Sequence, residues 1–380
     1  MPVLYVPKET NERDRRVSIV PAEIARLEPL GLEVVVEQGA GEAAGFPDRA
    51  YSEAGARVVP RSDEGALATA DLVVLVGPPS VERVKRFREG SALVSFLPPA
   101  LSEEVLQRLC ERGITAFSFN LVPRTSRAQA VDALSSQAGL AGYQAVILAA
   151  DRSPRVLPLM MTAAGTVAPA RVLVLGAGVA GLQAIATARR LGASVSAYDV
   201  RPEAAEEIRS LGAQAIELPI LAPEGNGGYA AEQSDEFLIR QQQLMSGAVE
   251  AADVVITTAA IPGRPAPRLV TAAMVESMRP GSVIVDLAAP SGGNCELTSE
   301  GSEVKWNGVV VIGVGDLASE VPASASALYA RNVTNLLKLL VREGELRPDF
   351  DDDIVAATCV TEGGVVRIGW SGASTREGGR

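Results

Sequence analysis

Two doubly wound α/β domains, the second equipped to hold a dinucleotide, are what this sequence predicts, and three observations predict them. Short apolar runs rich in β-branched residues alternate with helical stretches, the pattern of βαβ units around mostly parallel sheets. One such run, residues 172–175, passes directly into a G-x-G-x-x-G turn and then into a stretch free of Pro and Gly, residues 182–191. With 380 residues, 47% of them hydrophobic and 21% charged, the chain can fill two cores and lacks the composition of a disordered protein.

The glycine turn organises the second domain. Gly176 permits the tight turn, Gly178 lets the backbone approach a pyrophosphate, and Gly181 lets helix and strand pack closely. The N–H groups at the start of the following helix, with Ala180 between the second and third glycines, would then hold the phosphates. A second strand, 194–198, ends at Asp199, about 18 residues past Gly181, where a carboxylate accepts from both ribose hydroxyls and repels a 2′-phosphate. The reading is NAD(H), not NADP(H), although Arg201, two residues on, is a side chain that could pair with that phosphate.

Residues 1–135 and 322–380 are expected to form the first Rossmann-like domain, 136–169 a connecting helix and linker, and 170–321 the NAD(H)-binding Rossmann domain, with a cleft between the two. In the first half, strands are expected at 3–6, 33–37, 72–76, 92–97 and 115–119, with helices around 21–27, 80–88 and 102–112. This half has no glycine fingerprint of its own. Residues 128–150 read as one long helix despite Gly139 and Gly142, and 151–169, with three prolines, as the linker that ends it. Later strands fall at 254–257, 283–286 and 309–312, and 324–342 as a helix returning to the first domain. The segment 219–229, PILAPEGNGGY, is long for a connection; it reads either as a disordered insertion or as a mobile lid with Tyr229 as its contact. The polar, glycine-rich end of the tail is expected to be loose.

Composition excludes several function classes. A net charge of −11 argues against nucleic acid or an anionic membrane surface as partner. The three cysteines, Cys110, Cys295 and Cys359, have no paired or zinc-binding spacing and suit a reduced compartment. The start MPVLYVPKE is not a signal peptide, and no stretch is apolar enough to cross a membrane. Lysine occurs only at Lys8, Lys85, Lys305 and Lys338 among 35 basic residues, a bias that says little about function. Histidine is absent, which removes imidazole bases, Ser-His pairs and His metal ligands together.

The polar cluster RTSRAQAVDALSSQ at 124–137 opens an otherwise apolar helix. Gln129, Asp132 and either Ser135 or Ser136 are three or four residues apart and would share a helix face, with Arg124 just ahead. The face is either a solvated helix start or one that looks into the cleft, where Gln129 would hydrogen-bond a nicotinamide carboxamide and Asp132 would orient Arg124. Glu206 with Glu207 and the run 351–353 read as solvated surface. Asp286 ends a buried strand and reads as a strand-end cap before it reads as a base.

With these residues in hand, the chain resembles the soluble NAD(H)-binding component of proton-translocating NAD(P) transhydrogenases, within the alanine dehydrogenase/transhydrogenase family. The stretches that carry the resemblance are PKETNERDRRVSIVP at 7–21, RTSRAQAVDALSSQAGLAGYQAV at 124–146, MMTAAGT at 160–166, GAGVAGLQAIATARRLGA at 176–193, YDVR at 198–201, GGYA at 227–230 and TTAAIPGRPAP at 257–267. The resemblance implies that Arg124, Gln129, Asp132 and Ser135 surround the nicotinamide. It implies that Val179 and Asp199, Val200 and Arg201 meet the pyrophosphate and adenosine side, that Gly228 and Tyr229 belong to a mobile loop, and that Ala260 lines the nucleotide groove. It further implies a homodimer and an NADP(H)-binding component with a membrane-spanning subunit as partners. The place would be peripheral, on the cytoplasmic side of a bacterial inner membrane.

Alanine dehydrogenase is similar over most of the same length, but it needs a proton-transferring imidazole and a lysine that holds the keto acid. The places of its lysine, histidine and active-site aspartate correspond here to Gly77, Pro98 and Pro290; only Arg16 has a counterpart. Imine chemistry without those groups is excluded on the need for positioned proton transfer. Direct hydride transfer between two nicotinamide rings breaks no O–H or N–H bond, so a site of amide, hydroxyl and arginine groups suits it. A nucleotide-sensing module without turnover is the alternative from another class.

Overall fold

The computed structural model describes residues 1–61, 63–98, 101–217, 235–260 and 264–367. Its chain forms two compact units, Met1–Gln137 with Ser319–Arg380, and Ala138–Ala318.

In the first unit, β1 (Val3–Val6), β2 (Glu33–Glu37), β3 (Arg57–Val59), β4 (Leu72–Val74), β5 (Ala92–Ser95) and β6 (Thr115–Ser118) form a parallel sheet in the order 3-2-1-4-5-6. Between them run α1 (Pro21–Leu27), α2 (Asp48–Glu53), α3 (Glu64–Thr69), α4 (Val81–Lys85) and α5 (Glu103–Glu111). Strands β4 and β5 are buried throughout, as apolar runs covered by helices on both faces must be. Leu4 and Val6 face one core and Tyr5 the other, the period-2 alternation of a pleated strand. Serines mark two of the helix starts: Ser80 and Ser102 accept hydrogen bonds from the N–H groups of Arg83 and Val105, the capping that short helices need.

The predicted helix over 128–150 is broken. A 3₁₀ turn covers Ser126–Val131, and α6 (Ala133–Arg152) starts only after Asp132. Asp132 sits at φ −75° and ψ 84°, outside the helical region, and its Oδ1 accepts from the Ser135 N–H at 2.9 Å. A short carboxylate that can satisfy an orphan N–H competes with helix continuation, and here it wins. Gln129, Asp132 and Ser135 therefore lie on a 3₁₀ turn, a cap and an α-helix, and do not share one helical face.

The second unit takes over within α6. A Cβ on Gly142 would lie 2.0 Å from the Ala180 carbonyl oxygen, whereas one on Gly139 would find only Val179 Cγ1 at 4.0 Å. Gly142 is thus a site of backbone-to-backbone contact and Gly139 is not. The stretch predicted as a plain linker, 151–169, holds a hairpin, β7 (Met160–Thr162) with β8 (Gly165–Val167). All six of its residues are exposed, so no in-out alternation marks it in the sequence.

The rest of the unit is a second doubly wound sheet. Strands β9 (Arg171–Leu175), β10 (Ser194–Tyr198), β11 (Gln214–Ala215), β12 (Val254–Thr257), β13 (Val283–Asp286), β14 (Ser302–Trp306) and β15 (Val309–Gly313) lie in the order 11-10-9-12-13-15-14. Only β14 is antiparallel. Helices α7 (Val179–Arg190), α8 (Ala204–Ser210), α9 (Asp235–Ala251) and α10 (Ala272–Ser277) connect them. The chain then re-enters the first unit through α11 (Pro322–Leu340), β16 (Val341–Arg342), β17 (Glu345–Leu346), α12 (Asp353–Thr358), β18 (Cys359–Glu362) and β19 (Val365–Val366). The core side of α11 includes Tyr329, Val333, Leu336 and Leu340, and β18 extends the first sheet antiparallel to β6. Among the described residues no helix is long and apolar enough to cross a membrane.

Gly142→Ala should lower stability by about 1–3 kcal/mol, the cost of forcing atoms into a filled contact. Gly139→Ala, in open space on the same helix, should raise it by about 0.4–1 kcal/mol. Urea unfolding of the two variants checks this; equal effects would mean that α6 does not touch α7 through Gly142.

Candidate functional site

In the second unit the order of the sheet reverses at β9, so the loops leaving β9 and β12 part and open a crevice at their carboxyl ends. The glycine turn lies there. Gly176 has φ +100°, and a Cβ on it would come within 2.6 Å of Thr258 Oγ1. A Cβ on Gly181 would fall 1.8 Å from the Gly176 carbonyl oxygen. Both glycines are demanded by the chain's own backbone. Gly178 differs: nothing lies within 4 Å of where its Cβ would be, so its bare backbone faces open space.

Gly178 is also the residue ahead of α7, and no side chain caps that helix. The N–H groups of its first turn and the positive end of its dipole are left to an anionic ligand. Val179, 47% exposed, and Ala180, half-buried, form this first turn. A pyrophosphate fits such a cradle, since Gly178 removes the side chain that would block it.

Asp199 follows β10 and reaches the same turn. Its Oδ2 accepts from the Ala177 N–H at 2.7 Å and from Arg201 Nη2 at 3.1 Å. Its Oδ1 accepts from the Arg201 N–H and from Arg201 Nε, both at 2.9 Å. A carboxylate offers about four lone-pair places, and here the chain itself fills four. Arg201 Nη2 also donates to the Ala177 carbonyl at 3.3 Å, and the Asp199 carboxylate holds the guanidinium above its ordinary range. Val200 is half-buried between the two. Beyond β12, Ala260 is exposed, next to a strand extension fixed by Asn294. That buried amide accepts from the Ala259 N–H at 3.0 Å and donates to the Ala259 carbonyl at 2.8 Å. Gly228, Tyr229 and the rest of 219–229 lie outside the described residues.

The other predicted residues belong to the first unit. Arg124 and Gln129 are exposed, and Asp132 and Ser135 half-buried, around the break between the 3₁₀ turn and α6. Both Asp132 oxygens accept from Ser135, one from its N–H and the other from its hydroxyl. The turn is fastened to its own unit. Arg127 Nη1 and Nη2 donate to the two oxygens of Asp352, each at 2.8 Å, and Nη2 also reaches Asp353. Asp352 in turn caps α12 through the Ile354 and Val355 N–H groups. The run 351–353, expected to be plain solvated surface, is in this respect a structural clamp.

Two further expectations meet the structure here. Asp286 is fully buried and accepts from the Ala288 and Cys295 N–H groups and from Thr298 Oγ1, which makes it a cap. Arg16 is 5% exposed and already committed: Nε and Nη2 pair with Asp14 at 2.9 and 2.8 Å, and Nη1 donates to Gln137 Oε1 at 2.9 Å. Gly77 donates to Glu9 Oε2 at 3.4 Å, and the same oxygen lies 3.8 Å from its would-be Cβ.

Two family models divide the chain: alanine dehydrogenase/PNT, N-terminal domain, matches residues 5–141, and alanine dehydrogenase/PNT, C-terminal domain, matches 145–368. The chain belongs to the alanine dehydrogenase/PNT family. Within that family, an NAD(P) transhydrogenase alpha-subunit protein of Rhodospirillum rubrum is 45% identical over 373 residues, 96% of this chain and 97% of that protein. The structure of the transhydrogenase from Sinorhizobium meliloti matches with a TM-score of 0.87 and 44% identity, covering 96% of this chain and all of the other. An L-alanine dehydrogenase structure matches with a TM-score of 0.81 and 28% identity over 96% of each chain. Both family branches thus share the fold, and the transhydrogenase branch is nearer in sequence.

The glycine turn and Asp199 lie together at the ends of β9 and β10 as the sequence spacing predicts, whereas Asn294 and the Arg127 clamp, whose partners lie far along the chain, left no signal in the sequence. The Arg127 guanidinium pulls the Asp352 carboxyl down to about 2, helped by the Val355 and Ile354 N–H groups. A carboxyl held down in the fold contributes stability that is present above its unfolded value, about 3.9, and is lost as pH falls toward the folded value. Arg127→Ala should therefore be less stable than the parent at pH 7, and the gap should begin to close below about pH 4. Urea unfolding across that range measures it; a gap that stays constant to about pH 3 would rule out the clamp.

Proposed function

We propose that this chain holds NAD(H) for direct hydride exchange with NADP(H) carried on a separate component of a proton-translocating transhydrogenase. The observation that carries the reading is a backbone cradle for a dinucleotide in a chain without a single histidine. Gly77, Pro98 and Pro290 stand where alanine dehydrogenase is expected to carry its lysine, histidine and aspartate, and the one shared arginine, Arg16, is buried in an ion pair with Asp14. An amino-acid dehydrogenase would need a guanidinium available to the substrate carboxylate and a group to move its proton. Neither requirement applies to ring-to-ring hydride transfer.

The bound nicotinamide supplies the hydride chemistry, and the protein supplies binding and position. The first-turn N–H groups of α7, with Gly178 and Ala180, take the pyrophosphate. Val179 gives that end of the cradle its apolar edge. Asp199 takes the adenine ribose, which requires Arg201 to release part of its hold on the carboxylate, with Val200 beside it. Ala260 lines the groove. Gln129 hydrogen-bonds the nicotinamide carboxamide, and Arg124, Asp132 and Ser135 complete its polar surround. These groups orient the ring and exclude water, and none moves a proton.

In the assembly the chain is a homodimer, peripheral on the cytoplasmic side of a bacterial inner membrane. It works with an NADP(H)-binding component and a membrane-spanning subunit that couples the exchange to proton movement. The test is to mix the purified chain with that component. Hydride exchange should appear only in the mixture; NADH binding without exchange would instead mark a sensing module.

Gln129→Asn should slow the exchange about tenfold or more, as expected of a displaced reacting group, while leaving the NADH dissociation constant within about threefold. Stopped-flow rates and NADH fluorescence titration check both, and equal losses would contradict a positioning role. Asp199→Ala should reduce the preference for NADH over NADPH by about tenfold, the scale of charge-assisted bonds. An unchanged preference in paired titrations would remove Asp199 from the ribose.

A further inference from the structure

The break at Asp132 leaves carbonyls at the end of the 3₁₀ turn without helical partners, and one side chain of α11 deals with it from the far end of the sequence. Asn332 is 7% exposed. Its Nδ2 donates to the Ala130 carbonyl at 3.0 Å and its Oδ1 accepts from Ser136 Oγ at 2.8 Å. One amide thus ties the residue after Gln129 to the first turn of α6, across Asp132. Asn335, one turn on and half-buried, donates to the same carbonyl at 3.1 Å. The staple is itself braced: Gln137 Nε2 donates to Ser136 Oγ at 3.3 Å and to the Ala325 carbonyl at 3.1 Å.

We infer that Asn332 is a positioning residue that sets the geometry of the turn presenting Gln129, joining the Ala130 carbonyl to Ser136. The inference rests on the proposed function, because it assigns Asn332 a role in placing a group that acts on the nicotinamide. Both ends of a buried amide must be satisfied, or the unmatched end costs free energy. Its two partners therefore have one spacing at which both bonds form, and the segment between them, from Gln129's neighbour to the start of α6, takes the conformation that spacing allows. The Gln129 side chain stands exposed on this turn, so the backbone of the turn sets the point and Cα–Cβ direction from which its amide reaches out.

Asn332→Asp keeps size and the acceptor for Ser136 but opposes a carboxylate oxygen to the Ala130 carbonyl. With the NADP(H)-binding component present, hydride exchange should fall about tenfold or more, since displacements near 1 Å can cost up to about a hundredfold. The NADH dissociation constant should stay within about threefold. Amide hydrogen exchange over 126–136 should quicken in the variant while that of α7 does not change. A wild-type rate, or a rate and an affinity lost together, would overturn the inference, the latter pointing to a merely structural role. Should Asn332→Asp fail to fold, Ser136→Ala removes the other end of the staple and should slow exchange about threefold; an unchanged rate overturns the inference equally. If the parent chain binds NADH yet exchanges no hydride, the proposed function fails by itself. Unchanged protection over 126–136 in the variants then decides against Asn332 independently of activity.

Discussion

Backbone must touch backbone at the head of α7, and much of the second unit follows from that constraint. The Gly176 carbonyl lies where a side chain on Gly181 would begin, Gly176 itself is closed in by Thr258, and Gly142 brings α6 against the Ala180 carbonyl. Three glycines are consumed in drawing a strand end, two helices and a neighbouring strand end to one point. A fourth, Gly178, is left facing open space. Tight packing on three sides and bare backbone on the remaining one is what a phosphate-binding turn requires, and it explains why glycines stand at these positions.

Charge is handled with similar economy. Asp199 and Arg201 form a closed pair under the glycine turn, so any ligand that reaches for this carboxylate has to compete with an internal partner and not merely with water. In the first unit, Arg16 is spent on Asp14 and Gln137, and Arg127 on Asp352. Each of these arginines is tied into the framework, where a dehydrogenase acting on a keto acid would need at least one guanidinium committed to substrate. A chain organised in this way is suited to holding a cofactor still, with the chemistry residing in the ring it holds.

Much of this is legible in the sequence because the relevant signals are local. Strand 172–175, the glycine triplet and Asp199 sit within about thirty residues, and the alternation of apolar runs with helical stretches gives the doubly wound class. What is not legible depends on distance or on competition. The break at Asp132 pits a good capping residue against a strongly helical sequence, and only the geometry shows that the cap prevails. The hairpin Met160–Thr162 with Gly165–Val167 is exposed on every residue and so lacks a pattern. Asn332 and Asn294 read as ordinary polar residues, because their partners lie 202 and 35 positions away. Arg16, which the resemblance makes the counterpart of a substrate-holding arginine, is paired with Asp14 two positions away and with Gln137 121 positions on, and only the fold brings that second partner to it.

The central claim is that this protein positions a hydride and moves no proton. The most direct measurement uses NADH deuterated at the transferring C4 position, with this chain, the NADP(H)-binding component and NADP⁺ in ordinary water. Mass analysis of the products should find the deuterium on NADPH, with none washed into solvent. Label lost to water, or reduction of NAD⁺ by alanine with this chain alone, would contradict the account.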